Sequence, residues 1–417
     1  MWTVVQEYDK NSQNPSRSDQ PVVQALRVHG KLTLRQLVDI TDFSHAAVTA
    51  SVSMLRNREI VDAVGQYRSE GLGRPSTLWR LRPGAAYFVG IDVGAATTRV
   101  LIMDLAGQPV HAISEPTAAL HARAPGGPSV GRELAALVHR LLDSCPLPNP
   151  RPVAVGLAVS GLVDSERGVC LSCANIPGWQ DLPLAADLSV LLGLPAVVDD
   201  SARAQAVAEH RVGNARGLQD FLFVNVGVGI GAALFMDGRP YRGPGGLGGE
   251  LGHITVDERG PRCGCGNLGC AEAVVGARAI VRRAAEWLES HTYPSLLAPE
   301  PRGTNEPRAR ELTVENLADA AAQGDPLAFR VLNEAGEHLG VAVAAALNLL
   351  GSPLVVLGGG VVRSGEPFMG AVRRTVMLRA LPPLARQVRI EASQLDSLSG
   401  ARGMAMSTIE AYLRDLV

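Results

Sequence analysis

Three thiols and one imidazole in the middle of the chain have the residue types and spacing of a metal site. His253, Cys263, Cys265 and Cys270 follow one another at intervals of 10, 2 and 5 residues. Three cysteines with one histidine form a closed, tetrahedral ligand set for structural Zn²⁺. The alternatives are a disulfide staple or free thiols, but a Cys-x-Cys pair is too close for an easy disulfide. We therefore predict a structural zinc ion at these four residues.

Carboxylates flank the metal ligands within the same stretch, Gly243 to Glu272. Glu250, His253 and Glu272 form a second polar set interleaved with the first. Carboxylates that a metal-bound loop holds rigid can accept hydrogen bonds from the hydroxyls of a small polyol. The stretch also contains glycines that let the backbone fold tightly enough to bring the cysteine sulfurs onto one metal ion: Gly264, Gly266 and Gly269.

Two motifs in this stretch, GGELGH and CGCGNLGCAE, resemble the signature of the ROK family of repressors, open reading frames and sugar kinases. The resemblance extends over nearly the whole chain. It implies an α/β fold in which a duplicated, actin-like (ribonuclease H-like) domain forms two lobes, with a zinc-held loop and a sugar site. Because the family includes both kinases and regulators, departures from the kinase motifs indicate which kind of member this chain is.

The first departures are in the two loops that resemble phosphate-binding turns. The family's kinases have Asp-x-Gly-Gly-Thr-Lys in the first turn, where this chain has Ala95 and Ala96 after Asp92-Val93-Gly94. Thr97 is adjacent and is an alternative source of the lost hydroxyl. The second turn, Gly-Thr-Gly in the kinases, has Val228 at its centre here. Both loops therefore lose a hydroxyl that would contact phosphate oxygens.

The decisive segment is Asp199 to Gln205, which aligns without gaps to Glu-Asn-Asp-Ala-Asn-Ala-Ala of the family. Asp200 then occupies the position of a sugar-binding Asn, and Ser201 that of the catalytic Asp. Phosphoryl transfer to a sugar needs a base that takes the hydroxyl proton, and serine is a better helix N-cap than a base. A one-residue slip would put Asp200 in the catalytic position, but it would have to be absorbed before Glu209.

The resemblance also implies the residues that contact a bound sugar. Asn175 lies in the segment NIPGW, which is equally compatible with an ordinary Pro-Gly turn and a packed Trp179. The candidate sugar-binding residues are Gly161, Asn175, Asp200, Glu250, His253 and Glu272. The turn Gly358-Gly359-Gly360 matches the adenosine side of the family's nucleotide site.

The N-terminal 82 residues have the pattern of a DNA-binding module. They carry 11 basic and 8 acidic side chains, whereas the whole chain has a net charge of −2. After a loose polar arm over residues 1–19, the pattern predicts helices from Pro21 to Gly30, Leu34 to Ile40 and Ser44 to about Arg56, then strands Ile60–Val64 and Thr77–Leu81. This order resembles a winged helix-turn-helix, and the alternative is a small protein-interaction module.

The third predicted helix repeats Val48, Val52 and Leu55 on one face, which leaves a small and polar opposite face. A helix with such a face can lie in a major groove, and Arg74 of the Gly-Arg-Pro wing can enter a minor groove. The candidate DNA-binding residues are Ser44, His45, Ala46, Thr49, Ser53, Arg56 and Arg74.

Composition restricts the class and the compartment. The 417 residues are 46% apolar and 19% charged, which is typical of a globular protein. The chain opens on a polar stretch without a signal peptide and contains no apolar run of 18 residues. With thiols available as metal ligands or buried groups, we expect a cytoplasmic protein with no membrane segment.

We divide the chain into a winged helix-turn-helix over 1–82, a small lobe over 86–198 plus about 393–417, and a large lobe over 199–392. A long Ala-rich helix over Pro326–Leu349 is a candidate subunit interface. The leading hypothesis is a sugar-responsive transcriptional repressor of carbohydrate metabolism with a non-catalytic kinase core. Its expected partners are a palindromic DNA operator, a sugar or sugar-phosphate effector, and copies of itself in a homodimer or homotetramer.

Two other hypotheses remain open from the sequence. One is an ATP-dependent hexose kinase that also binds DNA. The other is a constitutive DNA-binding protein with a relic sugar site.

Overall fold

A computed structural model of the chain describes residues 18–68, 75–290, 295–297 and 312–415. Arg74, the wing residue named above, lies outside the described residues. Within these ranges the fold consists of a small head and two α/β lobes, each with its own five-stranded sheet.

The head has three helices followed by a hairpin. Its elements are α1 (Asp19–His29), β1 (Leu32–Thr33), α2 (Leu34–Thr41), α3 (His45–Asn57), β2 (Val61–Tyr67) and β3 (Ser76–Leu81). The Thr33 hydroxyl accepts from Gln36 N at 3.3 Å while the side-chain oxygen Oε1 of Gln36 accepts from Thr33 N at 2.9 Å, which closes a capping box on α2. Ser44 caps α3 as the sequence predicts. These three helices and the β1-β3-β2 sheet form a winged helix-turn-helix.

The head differs from the sequence-based prediction in two places. Asp19, assigned to a loose arm, begins α1, and both Ser18 and Asp19 are buried. Strand β2 continues past Val64 to Tyr67, because a bulge at Val64 and Gly65 lets the ladder resume at Gln66.

The first lobe is built on a sheet with strand order β11-β7-β4-β5-β6. Strands β4 to β6 form an antiparallel meander, and β7 and β11 add to it in parallel. Its elements are β4 (Tyr87–Val93), β5 (Thr97–Asp104), β6 (Pro109–Pro116), α4 (Thr117–Arg123), α5 (Ser129–Asp143), β7 (Pro152–Val159), β8 (Leu162–Asp164), β9 (Val169–Ser172), β10 (Gln180–Leu182), α6 (Leu184–Leu192) and β11 (Ala196–Asp200). The central strands are nearly continuous apolar runs because helices cover both faces.

The second lobe repeats that topology in the order β14-β13-β12-β15-β16, again with a meander and two added parallel strands. Its elements, with the helix that precedes it and the one that follows, are α7 (Ser201–Val212), β12 (Phe221–Val226), β13 (Ile230–Met236), β14 (Arg239–Tyr241), α8 (Ala271–Val275), α9 (Ala277–Glu289), α10 (Val314–Ala322), α11 (Pro326–Leu350), β15 (Leu354–Gly358), α12 (Glu366–Arg379), α13 (Pro382–Gln387), β16 (Arg389–Ala392) and α14 (Ser399–Asp415). The repeated strand order confirms the predicted duplication.

The last helix, α14, returns to the first lobe. Its backbone passes so close to β4 that a Cβ built on Gly90 would overlap the Ala401 carbonyl, and a Cβ on Gly403 would overlap the Ala204 carbonyl of α7. Glycine is therefore required at both positions for α14 to pack this closely against β4 and α7. No helix of the described residues is long and apolar enough to span a membrane.

Candidate functional site

A cavity of about 1200 Å³ opens where the two sheets face each other. Strand ends and loops of both lobes line it, because both sheets direct the carboxyl ends of their central parallel strands toward it. All six candidate sugar-binding residues line this cavity: Gly161, Asn175, Asp200, Glu250, His253 and Glu272.

Glu272 and Asn175 come from different lobes and meet at Gly229. The Glu272 carboxylate accepts a hydrogen bond from Ile230 N at 2.9 Å. A Cβ on Gly229 would overlap Glu272 Oε2 and would lie 3.1 Å from Asn175 Nδ2. Gly229 therefore keeps open the space in which these two polar groups converge. The packed-turn alternative also has support, since Trp179 is buried and its indole donates to the Ala124 carbonyl.

Asp200 links the cavity to helix α7. One of its carboxylate oxygens accepts from Ala202 N at 2.9 Å and from Arg203 N at 3.0 Å, so Asp200 is the N-cap of α7. This corrects the prediction that Ser201 caps the helix. Burial raises the pKa of Asp200 to about 7 despite the opposing charge of Arg203, with Asp199 and Glu250 raising it further.

Ser201, predicted to align with the kinase base, forms two hydrogen bonds through its hydroxyl. Its hydroxyl donates to Asp92 Oδ1 at 2.7 Å and accepts from Gln205 Nε2 at 3.2 Å. Asp92 is largely buried where it lines the cavity, and this burial raises its pKa to about 6. Because a serine hydroxyl does not take up a proton at neutral pH, Ser201 does not act as a base toward a sugar hydroxyl.

The glycine-rich turns also line the cavity. Ala95, Ala96 and Thr97 form one wall, and Val228 and the Gly358–Gly360 turn form others. The turns at Ala95-Ala96 and at Val228, which lack the hydroxyls of the kinase motifs, therefore line the same cavity as the Gly358–Gly360 turn.

The four predicted metal ligands lie together. One donor atom from each of His253, Cys263, Cys265 and Cys270 lies within 4.8 Å of the others. The Sγ atoms of Cys265 and Cys270 are 3.6 Å apart, and His253 Nδ1 is 3.7 Å from Cys263 Sγ. A tetrahedral ion with arms of about 2.3 Å needs ligand separations of about 3.8 Å, so the set fits zinc. No disulfide links these thiols among the described residues.

Two of the three glycines in this loop have the conformation that the sequence predicts. Gly266 and Gly269 have φ values of 98° and 63°, and a Cβ on Gly269 would overlap the Asp257 carbonyl. Gly264 does not have positive φ and a Cβ there would meet open space. The tight folding of the loop therefore depends on Gly266 and Gly269 rather than on all three.

His253 belongs to both polar sets. Its Nδ1 faces the thiols, whereas its Nε2 lies 3.8 Å from Glu250 Oε2 in the cavity. A metal on Nδ1 would fix the imidazole ring and, through it, the orientation of the group facing Glu250.

A buried ion cluster beside the cavity was not identified from the sequence. Arg203 donates to Asp199 at 2.6 Å and to the Gly246 carbonyl at 3.1 Å, and Arg242 pairs with the other Asp199 oxygen at 2.7 Å. Burial alone would raise the pKa of Asp199, but the two guanidinium groups hold it below its ordinary value. Since Gly246 precedes Glu250 in the chain, Arg203 fixes the loop that carries the cavity carboxylate. In the sequence, the i, i+4 spacing of the oppositely charged Asp199 and Arg203 was the signal that could have indicated this ion pair.

Replacing Arg203 with alanine is expected to lower the free energy of unfolding by about 3–5 kcal/mol, since Asp199 then stays buried with one partner fewer. Urea denaturation measures the change. The matched control is Arg373→Ala, which removes an exposed pair with Glu366 and should change stability by less than about 1 kcal/mol. Equal small effects for both variants would contradict a stabilising role for the cluster.

Replacing Asp200 with asparagine is expected to stabilise the protein more at high pH than at low pH. Because burial holds the folded-state pKa near 7, above the ordinary 3.8, ionisation of Asp200 costs stability as the pH rises through this range. The stability difference between the variant and the wild type should widen by about 3 kcal/mol from pH 5 to pH 8. Denaturation at both pH values tests this. Asp143→Asn, at an exposed position, should show no such widening.

The candidate DNA-binding residues of α3 lie on one exposed face of the head. Ser44, His45, Ala46, Ser53 and Arg56 are exposed, and Thr49 is partly exposed. The Arg56 guanidinium lies 6.0 Å from the ring centre of Trp79 in the wing, and the Thr49 hydroxyl donates to the His45 carbonyl at 2.7 Å. The opposite face packs Val48, Val52 and Leu55 into the head.

The model of the ROK family matches residues 88–410. Among curated relatives, a glucokinase from Halalkalibacterium halodurans is 30% identical over 319 residues, which cover 76% of this chain and 93% of the relative. A xylose repressor from Bacillus spizizenii is 24% identical over 382 residues, which cover 91% of each chain. Among solved structures, a ROK family transcriptional regulator, described as a homolog of the E. coli MLC protein, superposes with a TM-score of 0.80. The superposition covers 95% of this chain and 96% of the other at 24% identity, and so supports the fold.

Proposed function

The chain belongs to the ROK family, and we propose that it is a sugar-responsive, DNA-binding transcriptional repressor whose kinase-like core does not transfer phosphoryl groups. The observation that carries this proposal is Ser201, which stands at the position of the kinase base and is hydrogen-bonded to the buried Asp92. Because that position lacks a carboxylate, we infer that the cavity binds a sugar without activating its hydroxyl.

The share of this chain over which each relative aligns favours a regulator over a kinase. The xylose repressor aligns over 91% of the chain, whereas the glucokinase aligns over 76%. The family match begins at residue 88, so the head lies outside the part that kinases and regulators share. A winged head with an exposed, polar α3 is suited to reading a major groove.

In the proposed complex, the sugar lies between the lobes and its hydroxyls contact Asn175, Asp200, Glu250, His253 and Glu272, with Gly161 beside it. Site groups that pair with hydroxyls reject analogues that lack them. Zinc on His253 and three thiols would be structural, because four protein ligands leave no position for water.

We further propose that the protein acts as a homodimer or homotetramer on a palindromic operator. Paired heads must match half-sites about 34 Å apart, so a small rotation on sugar binding would weaken the complex. The effector is a sugar or sugar phosphate, and the controlled genes belong to carbohydrate metabolism. We expect the protein to act in the cytoplasm, where operator DNA is accessible.

The second candidate function is an ATP-dependent hexose kinase that also binds DNA. The intact Gly358–Gly360 turn and the 30% identity to a glucokinase favour it. A coupled assay with ATP and a panel of hexoses, pentoses and amino sugars separates the two. We expect no turnover above background, whereas kinases typically turn over at about 1–100 per second, and such a rate would overturn the non-catalytic assignment.

Operator binding in the presence of the same sugars tests the regulatory function. The operator is first selected from a random duplex library with sugar-free protein. One of the sugars should lower the affinity for this operator, and an unchanged affinity with every sugar would favour a relic site.

A further inference from the structure

A single carboxylate connects the head, helix α7 and helix α14. Glu410 of α14 directs Oε1 toward two arginines from different parts of the fold. Arg211, in the last turn of α7, places Nε at 2.6 Å in an ion pair that lacks hydrogen-bond geometry. Arg27, in the last turn of α1, places Nη2 at 3.5 Å from the same oxygen.

The head arginine is buried and incompletely paired. The Arg27 side chain is 8% exposed, and its Nη1 has no hydrogen-bond partner among the described residues. Burying a guanidinium is unfavourable unless it is paired. Two guanidinium groups from different elements share one carboxylate oxygen of Glu410, which lies closer to Arg211 than to Arg27.

Helix α7 extends from the cavity to this carboxylate. Its N-cap, Asp200, lines the cavity, and Arg211 lies one residue before its end. A helix of 12 residues is about 18 Å long. A rigid shift of α7 would therefore move Asp200 and Arg211 together.

Helix α14 packs against the head. Val23 and Leu55 of the head and Leu413 of α14 border one small crevice and share a core cluster. Tyr412 contacts Phe88 of the first lobe edge-on at 5.4 Å between ring centres. The head therefore rests on a helix that also contacts both α7 and the sheet.

We propose that Glu410 couples the sugar cavity to the orientation of the DNA-binding head, by exchanging its carboxylate between Arg211 and Arg27 as α7 moves. This inference rests on the proposed function, because it requires that a sugar binds the cavity and that the head binds DNA. Glu410 is a positioning residue and contacts neither ligand.

The test compares the wild type with Glu410→Gln in operator binding, with and without saturating D-xylose, D-glucose or N-acetyl-D-glucosamine. The DNA is the duplex selected by the sugar-free wild type. In the wild type, the active sugar should change the affinity by about 5- to 150-fold. In Glu410→Gln this change should fall below about twofold, while calorimetry gives an unchanged sugar affinity, because only the coupling free energy is lost.

Matched variants separate coupling from a merely structural effect. Glu366→Gln removes the carboxylate of an exposed pair on α12 and should retain the full response. Arg27→Gln should abolish the response as Glu410→Gln does, and combining the two should add nothing further. Amide hydrogen exchange of α1 on sugar addition gives a readout without DNA, which should change in the wild type and not in either variant.

The outcomes distinguish the proposed function from the coupling role of Glu410. A wild type that does not respond to any sugar overturns the proposed function itself. A responsive wild type together with an equally responsive Glu410→Gln overturns only the coupling role of Glu410.

Discussion

Replacing Cys263 with serine is expected to abolish the sugar response of operator binding and to remove zinc from the purified protein. Cys263 is buried and its sulfur faces His253 Nδ1 at 3.7 Å, so serine leaves a three-ligand site with far weaker zinc affinity. Apparent zinc binding in small structural sites contributes about 10–16 kcal/mol, so loss of the ion should release the loop that ends at Glu272.

Zinc content by atomic emission and sugar affinity by calorimetry measure this effect. We expect a sugar affinity at least 100-fold weaker, because Glu250 and Glu272 lose their fixed positions on either side of the metal loop. Cys145→Ser is the control, since Cys145 lies near α5 and outside the ligand cluster. A Cys263→Ser protein that binds sugar normally would show that the metal loop has no part in the site.

Replacing Thr49 with glutamate is expected to weaken operator binding at least 100-fold without changing the sugar affinity. Thr49 lies in the middle of the exposed face of α3, where a carboxylate would face phosphates and base edges. Each good base contact contributes about 1–3 kcal/mol, and charge repulsion adds to its loss. The helix itself should persist, because the lost hydroxyl bond to the His45 carbonyl is local.

Fluorescence anisotropy with the selected operator at fixed salt measures the loss. Gln323→Glu adds the same charge at an exposed position of the large lobe and should bind DNA as the wild type does. Equal affinities for wild type and Thr49→Glu would exclude α3 as the reading helix.

Short-range chemistry in the sequence predicted several local features correctly. Ser44 caps α3 where the sequence predicted a helix to start, because N-capping depends on the three following residues only. The spacing of His253 and the cysteines likewise brought four ligands together within one loop. The duplicated sheet followed from the family resemblance rather than from any single segment.

Contacts between distant residues could not be predicted in this way. Arg203 reads as an altered Asn in the alignment, yet its guanidinium is bonded to the Gly246 carbonyl, 43 positions away. Glu410 and Arg27 are separated by 383 positions, and neither has a local signal. Ser201 was assigned the cap that Asp200 provides, since both residue types suit an N-cap and only the backbone decides which one occupies it.

The placement of α14 has a consequence for biosynthesis. Helix α14 follows the second lobe in the chain, yet its close approach to β4 and α7 completes the packing of the first lobe. Domains generally fold as units during translation. The first lobe and the head therefore stay incompletely packed while the second lobe is synthesised, and we expect a chain truncated before Ser399 to be a substrate for proteases.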